Sequence, residues 1–115
     1  MNMRASAIAS GLLIVIALQS GGCSEADTDT IDTGRAALET RCSRCHAIGL
    51  EDTSAHAEAP PFREIVRRYP PENLAESLAE GIVSGHPDMP QFVMEPSEIG
   101  AVIDYLSSLL PQNKS

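Results

Sequence analysis

Cys42-Ser43-Arg44-Cys45-His46 is the stretch on which the reading of this chain turns. Two thiols three residues apart at the end of a helix can each add to one vinyl side chain of a porphyrin, and the imidazole that follows is then presented to the iron, so C-x-x-C-H marks covalent haem attachment. With three Cys and three His in 115 residues, chance placement gives about 0.002 expected matches to the pattern, so coincidence is a poor explanation. The rival readings lack their context. A redox dithiol of this spacing follows a strand in a βαβ unit, and no strand signal precedes Cys42. A structural zinc site needs a second ligand pair, and the other histidines, His56 and His86, stand apart from each other. A Cys42–Cys45 disulfide would close too small a loop to stabilise much and would leave His46 without a role.

Upstream, Ala37, Leu38, Cys42 and Cys45 recur at helical spacing from Gly34 onward, which predicts a first helix running into the cysteine pair and stopping near His46. Downstream, residues 47–61 carry Gly49, Pro60 and Pro61 with no apolar period and read as a loop. Pro61 suits the first turn of a short helix through Phe62, Ile65 and Val66, and Pro70 and Pro71 end it and open the next. In that next helix Leu74, Leu78 and Ile82 form an apolar stripe opposite Glu72, Glu76 and Glu80, up to Gly81 and Gly85. Residues 85–96 are again irregular. Pro96 and Glu98 then open a last helix with an expected buried face of Ile99, Val102, Ile103, Leu106 and Leu110, closed by Pro111.

The expected class is therefore all-α, four or so short helices with two long loops. Structureless loops of this length in a small domain are coherent only if they wrap something. A prosthetic group would supply that volume, since the chain has only four aromatic residues, Phe62, Tyr69, Phe92 and Tyr105, to fill a core.

With 16 acidic and 8 basic side chains the net charge is -8, which disfavours nucleic acid and favours basic or mixed-charge protein partners. The length suits one domain. Residues 1–22 have the pattern of a signal peptide: Arg4, an apolar run from Ala5 to Leu18, then Ser20, Gly21 and Gly22. The apolar run is too short to span a bilayer comfortably. Gly21-Gly22-Cys23 resembles the lipobox of bacterial lipoproteins, with Ser20 where an aliphatic residue is usual. Lipidation at Cys23 would account for the odd cysteine and give membrane association, whereas ordinary cleavage at the same place leaves a spare thiol. Removing residues 1–22 leaves 7 basic and 16 acidic side chains, 7 minus 16 or -9. Residues 23–32 are expected to form an acidic tether with too little apolar surface to order itself, followed by one domain over 33–115.

Residues 33–111 resemble the bacterial class I c-type cytochromes, mono-haem proteins with the cytochrome c fold. The resemblance implies that Gly34 and Leu38 of the first helix pack against Tyr105 of the last, Leu38 standing where the family usually has an aromatic residue. It implies that the carbonyl of Pro60 or Pro61 accepts the Nδ1 proton of His46, the proximal iron ligand. The run Gly85-His86-Pro87-Asp88-Met89-Pro90-Gln91-Phe92 is similar to the family's distal loop, in which a Met directly before Pro is the sixth ligand. It also implies one haem c bound covalently through Cys42 and Cys45.

The residues themselves narrow the sixth ligand less sharply. Met1 and Met3 leave with the signal, and of Met89 and Met94 only the first is braced by Pro87 and Pro90, while Met94 suits an apolar plug. His56 and His86 are the other candidates. Arg63, Arg67 and Arg68 form a basic cluster that is either a solvated face, a propionate partner or a docking patch. With iron held by His46 and Met89 there is no open coordination position, so the expectation is electron transfer and not catalysis, by a monomer on the periplasmic side of a bacterial envelope exchanging electrons with redox proteins. The alternative is a dedicated haem c subunit of a periplasmic dehydrogenase or oxidase complex.

Overall fold

The computed structural model describes residues 27–82 and 87–112. These contain four helices, α1 Thr28–Arg41, α2 Phe62–Arg68, α3 Pro71–Glu80 and α4 Pro96–Ser108, and among the described residues no strand. Each start after α1 is set by proline: Pro61 precedes α2, and Pro71 and Pro96 occupy the first turns of α3 and α4, where a missing N–H costs nothing. Gly81, with φ +100°, turns the chain out of α3 in a conformation that a side chain resists.

The boundary at the N-terminus differs from the expected tether over 23–32. Residues 28–32 are the first turn and more of α1, because Ile31 lies one turn before Gly34 and packs on the core, and Asp29 favours the positive end of the helix. The signal segment and Cys23 lie outside the described residues. At its other end α1 stops at Arg41, four residues earlier than the apolar period suggests. Cys42 leaves the helical region with φ -120°, and Cys45 and His46 follow in a turn whose N–H groups donate to the Cys42 carbonyl at 3.1 and 2.9 Å.

α4 is the platform of the fold, with α1 packed along it most extensively and α3 and α2 on it as well. The α1–α4 crossing is a backbone-to-backbone approach. A Cβ on Gly34 would fall on the Ala101 carbonyl and lie 2.9 Å from the Val102 nitrogen. Gly34 meets the backbone of Ala101 and Val102, while Leu38 and Tyr105 share the core with Val66, Leu78, Met94, Val102, Leu106 and Leu109. Burying each such side chain contributes roughly 1.5–3 kcal/mol. The buried face of α4 is Ile99, Ala101, Val102, Tyr105 and Leu106. Ile103 and Leu110, expected in it, are half-buried and pack against the edge of the core. Where the two helices meet at their ends, Arg41 grips Glu98 with a fork, Nε to Oε1 at 2.9 Å and Nη2 to Oε2 at 3.0 Å.

The close crossing yields a paired prediction for glycines with opposite surroundings. Gly34→Ala should lower the unfolding free energy of the haem-loaded protein by about 1–3 kcal/mol or more, because backbone must move. Gly100→Ala, with nothing within 4 Å of its added Cβ, should raise it by about 0.5–1 kcal/mol through helix propensity alone. Denaturant titration measures both, and equal effects of the two would contradict the crossing.

Candidate haem-binding site

The site is built on one side chain, His46, held by the far end of the loop it opens. His46 Nδ1 lies 2.8 Å from the carbonyl oxygen of Pro60. A carbonyl only accepts, so Nδ1 carries the proton, and the neutral ring is left with its lone pair on Nε2, the form that binds a metal. Of the two prolines open in the sequence, Pro60 provides this acceptor and Pro61 caps α2. Phe62 packs against the imidazole, ring centroids 5.2 Å apart and planes tilted by 39°.

The loop 47–61 is irregular but tightly bonded. The Phe62 N–H donates to Ala47 O at 2.9 Å and closes it. Asp52 accepts from the N–H groups of Ile48 and Gly49 at 3.1 and 2.9 Å, and Ser54 Oγ accepts from Ala47 N–H at 3.0 Å. From α2, Arg63 Nη1 donates to the carbonyls of Asp52 at 2.8 Å and Gly49 at 3.3 Å. From α4, the buried Tyr105 hydroxyl donates to Ile48 O at 2.6 Å. Arg63 braces the loop through these bonds, while Arg67 and Arg68 are exposed in the last turn of α2. Sequence reasoning missed Asp52, Ser54 and these uses of Arg63 and Tyr105; an Asp three residues after Gly49 in a loop was the one local hint of a turn.

Cys42 and Cys45 are both free thiols and half-buried. Burial pushes the Cys42 thiol up to about 11, so that sulfur sits where an anion is disfavoured and an uncharged thioether is not. The donor set fits covalent haem: two unpaired sulfurs, and an imidazole with Nδ1 engaged and Nε2 free to coordinate.

On the other side of the sequence, Met94 is buried at 2% exposure and its N–H donates to Leu78 O at 2.9 Å, so it packs in the core. Met89 is half-buried in the turn over 87–89. That turn is held near the cysteine segment through His56, whose N–H donates to Cys45 O at 3.1 Å and whose Nε2 lies 3.5 Å from Asp88 Oδ2. His56, the other ligand candidate among the described residues, is half-buried between these segments. His86 lies outside the described residues.

An all-α domain whose first helix is followed directly by C-x-x-C-H, with the histidine fixed by a carbonyl, defines a c-type cytochrome. The chain belongs to the family described as cytochrome c oxidase, cbb3-type, subunit III, whose sequence model matches residues 29–106. It is also similar to cytochrome c-552 of Bradyrhizobium diazoefficiens, 31% identical over 101 residues that cover 88% of this chain and 94% of that protein. No solved structure matches it. The protein is accordingly a haem c electron-transfer protein that works with redox partners.

Tyr105 gives this arrangement a pH signature. Burial holds its phenol above the ordinary value, so it ionises more readily in the unfolded chain than in the fold. Its contribution should be complete below about pH 10 and should fade as pH rises through the folded value. Tyr105→Phe, which leaves Ile48 O without its donor, should cost about 1–3 kcal/mol at neutral pH and flatten the decline above pH 10. Unfolding curves of both proteins from pH 7 to 11 check this; parallel declines would contradict it.

Proposed function

We propose that the protein is a mono-haem electron carrier whose haem c is attached through Cys42 and Cys45 and whose iron is held by His46 and Met89. The observation that carries this is the 2.8 Å contact between His46 Nδ1 and Pro60 O, which leaves Nε2 as the free donor. When bound, haem supplies a one-electron Fe(III)/Fe(II) couple, and thioether ligation with apolar burial favours the reduced form. The chain's own residues do the rest. Pro60 sets the ring's tautomer and orientation, Phe62 packs beside it, and Pro87 and Pro90 stiffen the backbone on either side of Met89.

Iron held on both sides by protein has no position left for oxygen, peroxide or substrate, which supports a carrier rather than an enzyme. The signal-peptide pattern of residues 1–22 supports work on the periplasmic side, and the run Gly21-Gly22-Cys23 supports a lipid anchor on an otherwise monomeric domain. The mass of the mature N-terminus decides this: an unmodified Cys23, or a residue retained before it, contradicts the anchor.

A free or tethered shuttle is the reading we favour, since the chain covers 94% of a relative named simply as a cytochrome. The dedicated subunit of an oxidase or dehydrogenase is the second reading, and the description of the family, subunit III of an oxidase, favours it.

The test separates the two methionines. Met89→Ala should abolish the sulfur-to-iron charge-transfer band of the oxidised protein and lower the potential. Met94→Ala should keep the band and cost about 2–5 kcal/mol of stability as a core truncation. Loss of the band in Met94→Ala with its retention in Met89→Ala overturns the assignment.

A further inference from the structure

His56 stands between the two segments assigned to the haem, and its hydrogen bonds leave it little freedom. Its N–H donates to Cys45 O at 3.1 Å, and its carbonyl accepts from Ala59 N–H at 3.1 Å. Its Nδ1 accepts from the Glu58 backbone N–H at 3.2 Å. An accepting Nδ1 carries no proton, so the neutral ring carries it on Nε2, 3.5 Å from Asp88 Oδ2. Asp88 immediately precedes Met89.

We propose that His56 is a positioning residue for the Met89 loop: its ring latches Asp88 to the Cys45 side of the fold and so holds Met89 in place against competing ligands. The proposal rests on Met89 as the sixth ligand. The latch works on charge as well as contact. A ring nitrogen of His56 and a carboxylate oxygen of each of Glu58 and Asp88 lie within 4.8 Å of one another, so the ring stands beside two negative groups that would otherwise repel. Removing the ring leaves those carboxylates facing each other and pushes residue 88 outward. A divalent cation is the poorer occupant of this cluster. Coordination through Nε2 would place the proton on Nδ1, where the Glu58 N–H already donates.

The test is a spectrophotometric titration of the oxidised haem-loaded protein with imidazole, which must displace the sixth ligand to bind. His56→Ala should tighten apparent imidazole binding by about two- to five-fold, the scale of an exposed ion pair. Asp88→Asn, which removes attraction and repulsion together, should have a smaller effect. His56→Gln, which keeps an N–H donor, should stay near the wild type. In a Met89→Ala background, where no methionine remains to be displaced, adding His56→Ala should change nothing. The latch is overturned if His56→Ala binds imidazole as the wild type does, or if it tightens binding equally with and without Met89. The Met89 reading itself fails, and the latch with it, if the wild type binds imidazole as tightly as Met89→Ala.

Discussion

His46 Nδ1 donates to the Pro60 carbonyl across 2.8 Å, and fourteen residues of irregular chain have to close for that bond to form. The remaining structure is arranged around that closure. Asp52 and Ser54 bond the start of the loop, Arg63 reaches back from α2, and Tyr105 reaches across from α4. An irregular loop of this length is usually a liability, since its backbone groups lack the ladder of a helix or sheet. Here they find partners in side chains from helices that are themselves fixed on α4. The imidazole is thus aimed by the whole domain through one hydrogen bond, which is what a ligand to a redox iron requires if its geometry is to stay the same in both oxidation states.

The packing explains why the platform is α4. Gly34 lets α1 approach it backbone to backbone, and the Arg41–Glu98 fork fixes the end of α1 one residue before Cys42. The position of the first sulfur therefore depends on the helix crossing, and the position of the histidine on the loop. Two independent supports converge on a five-residue motif. The turn over 87–89 comes near this motif at the contact of His56 Nε2 with Asp88 Oδ2, 3.5 Å apart.

The parts of this structure that follow local rules were legible in the sequence. Pro61, Pro71 and Pro96 mark helix starts, and Leu74 and Leu78 mark the inner face of α3, because proline geometry and helical period act over a few residues. C-x-x-C-H named the cofactor because the chemistry of two vinyl groups and one iron fixes the spacing. What was not legible depends on partners far apart in the chain. Ile31, alone among Thr and Asp, gave no period by itself, yet the core it meets orders the helix from Thr28. The choice of Pro60 over Pro61 depends on which one α2 takes as its cap. Arg63 and Tyr105 act on residues 11 and 57 positions away, and no window of sequence carries that information. On α4 Ile99, Val102 and Leu106 are buried as their period indicates, while Ile103 and Leu110 are only partly covered at the edge of the core.

The central claim is the state of one imidazole, and nuclear magnetic resonance of the reduced, diamagnetic protein labelled with 15N-histidine reads it directly. The account predicts that His46 carries its proton on Nδ1, protected from exchange by the Pro60 carbonyl, with Nε2 bound to iron. A proton on His46 Nε2, an Nδ1 proton that exchanges as freely as that of an exposed imidazole, or an iron-bound His56 would contradict it.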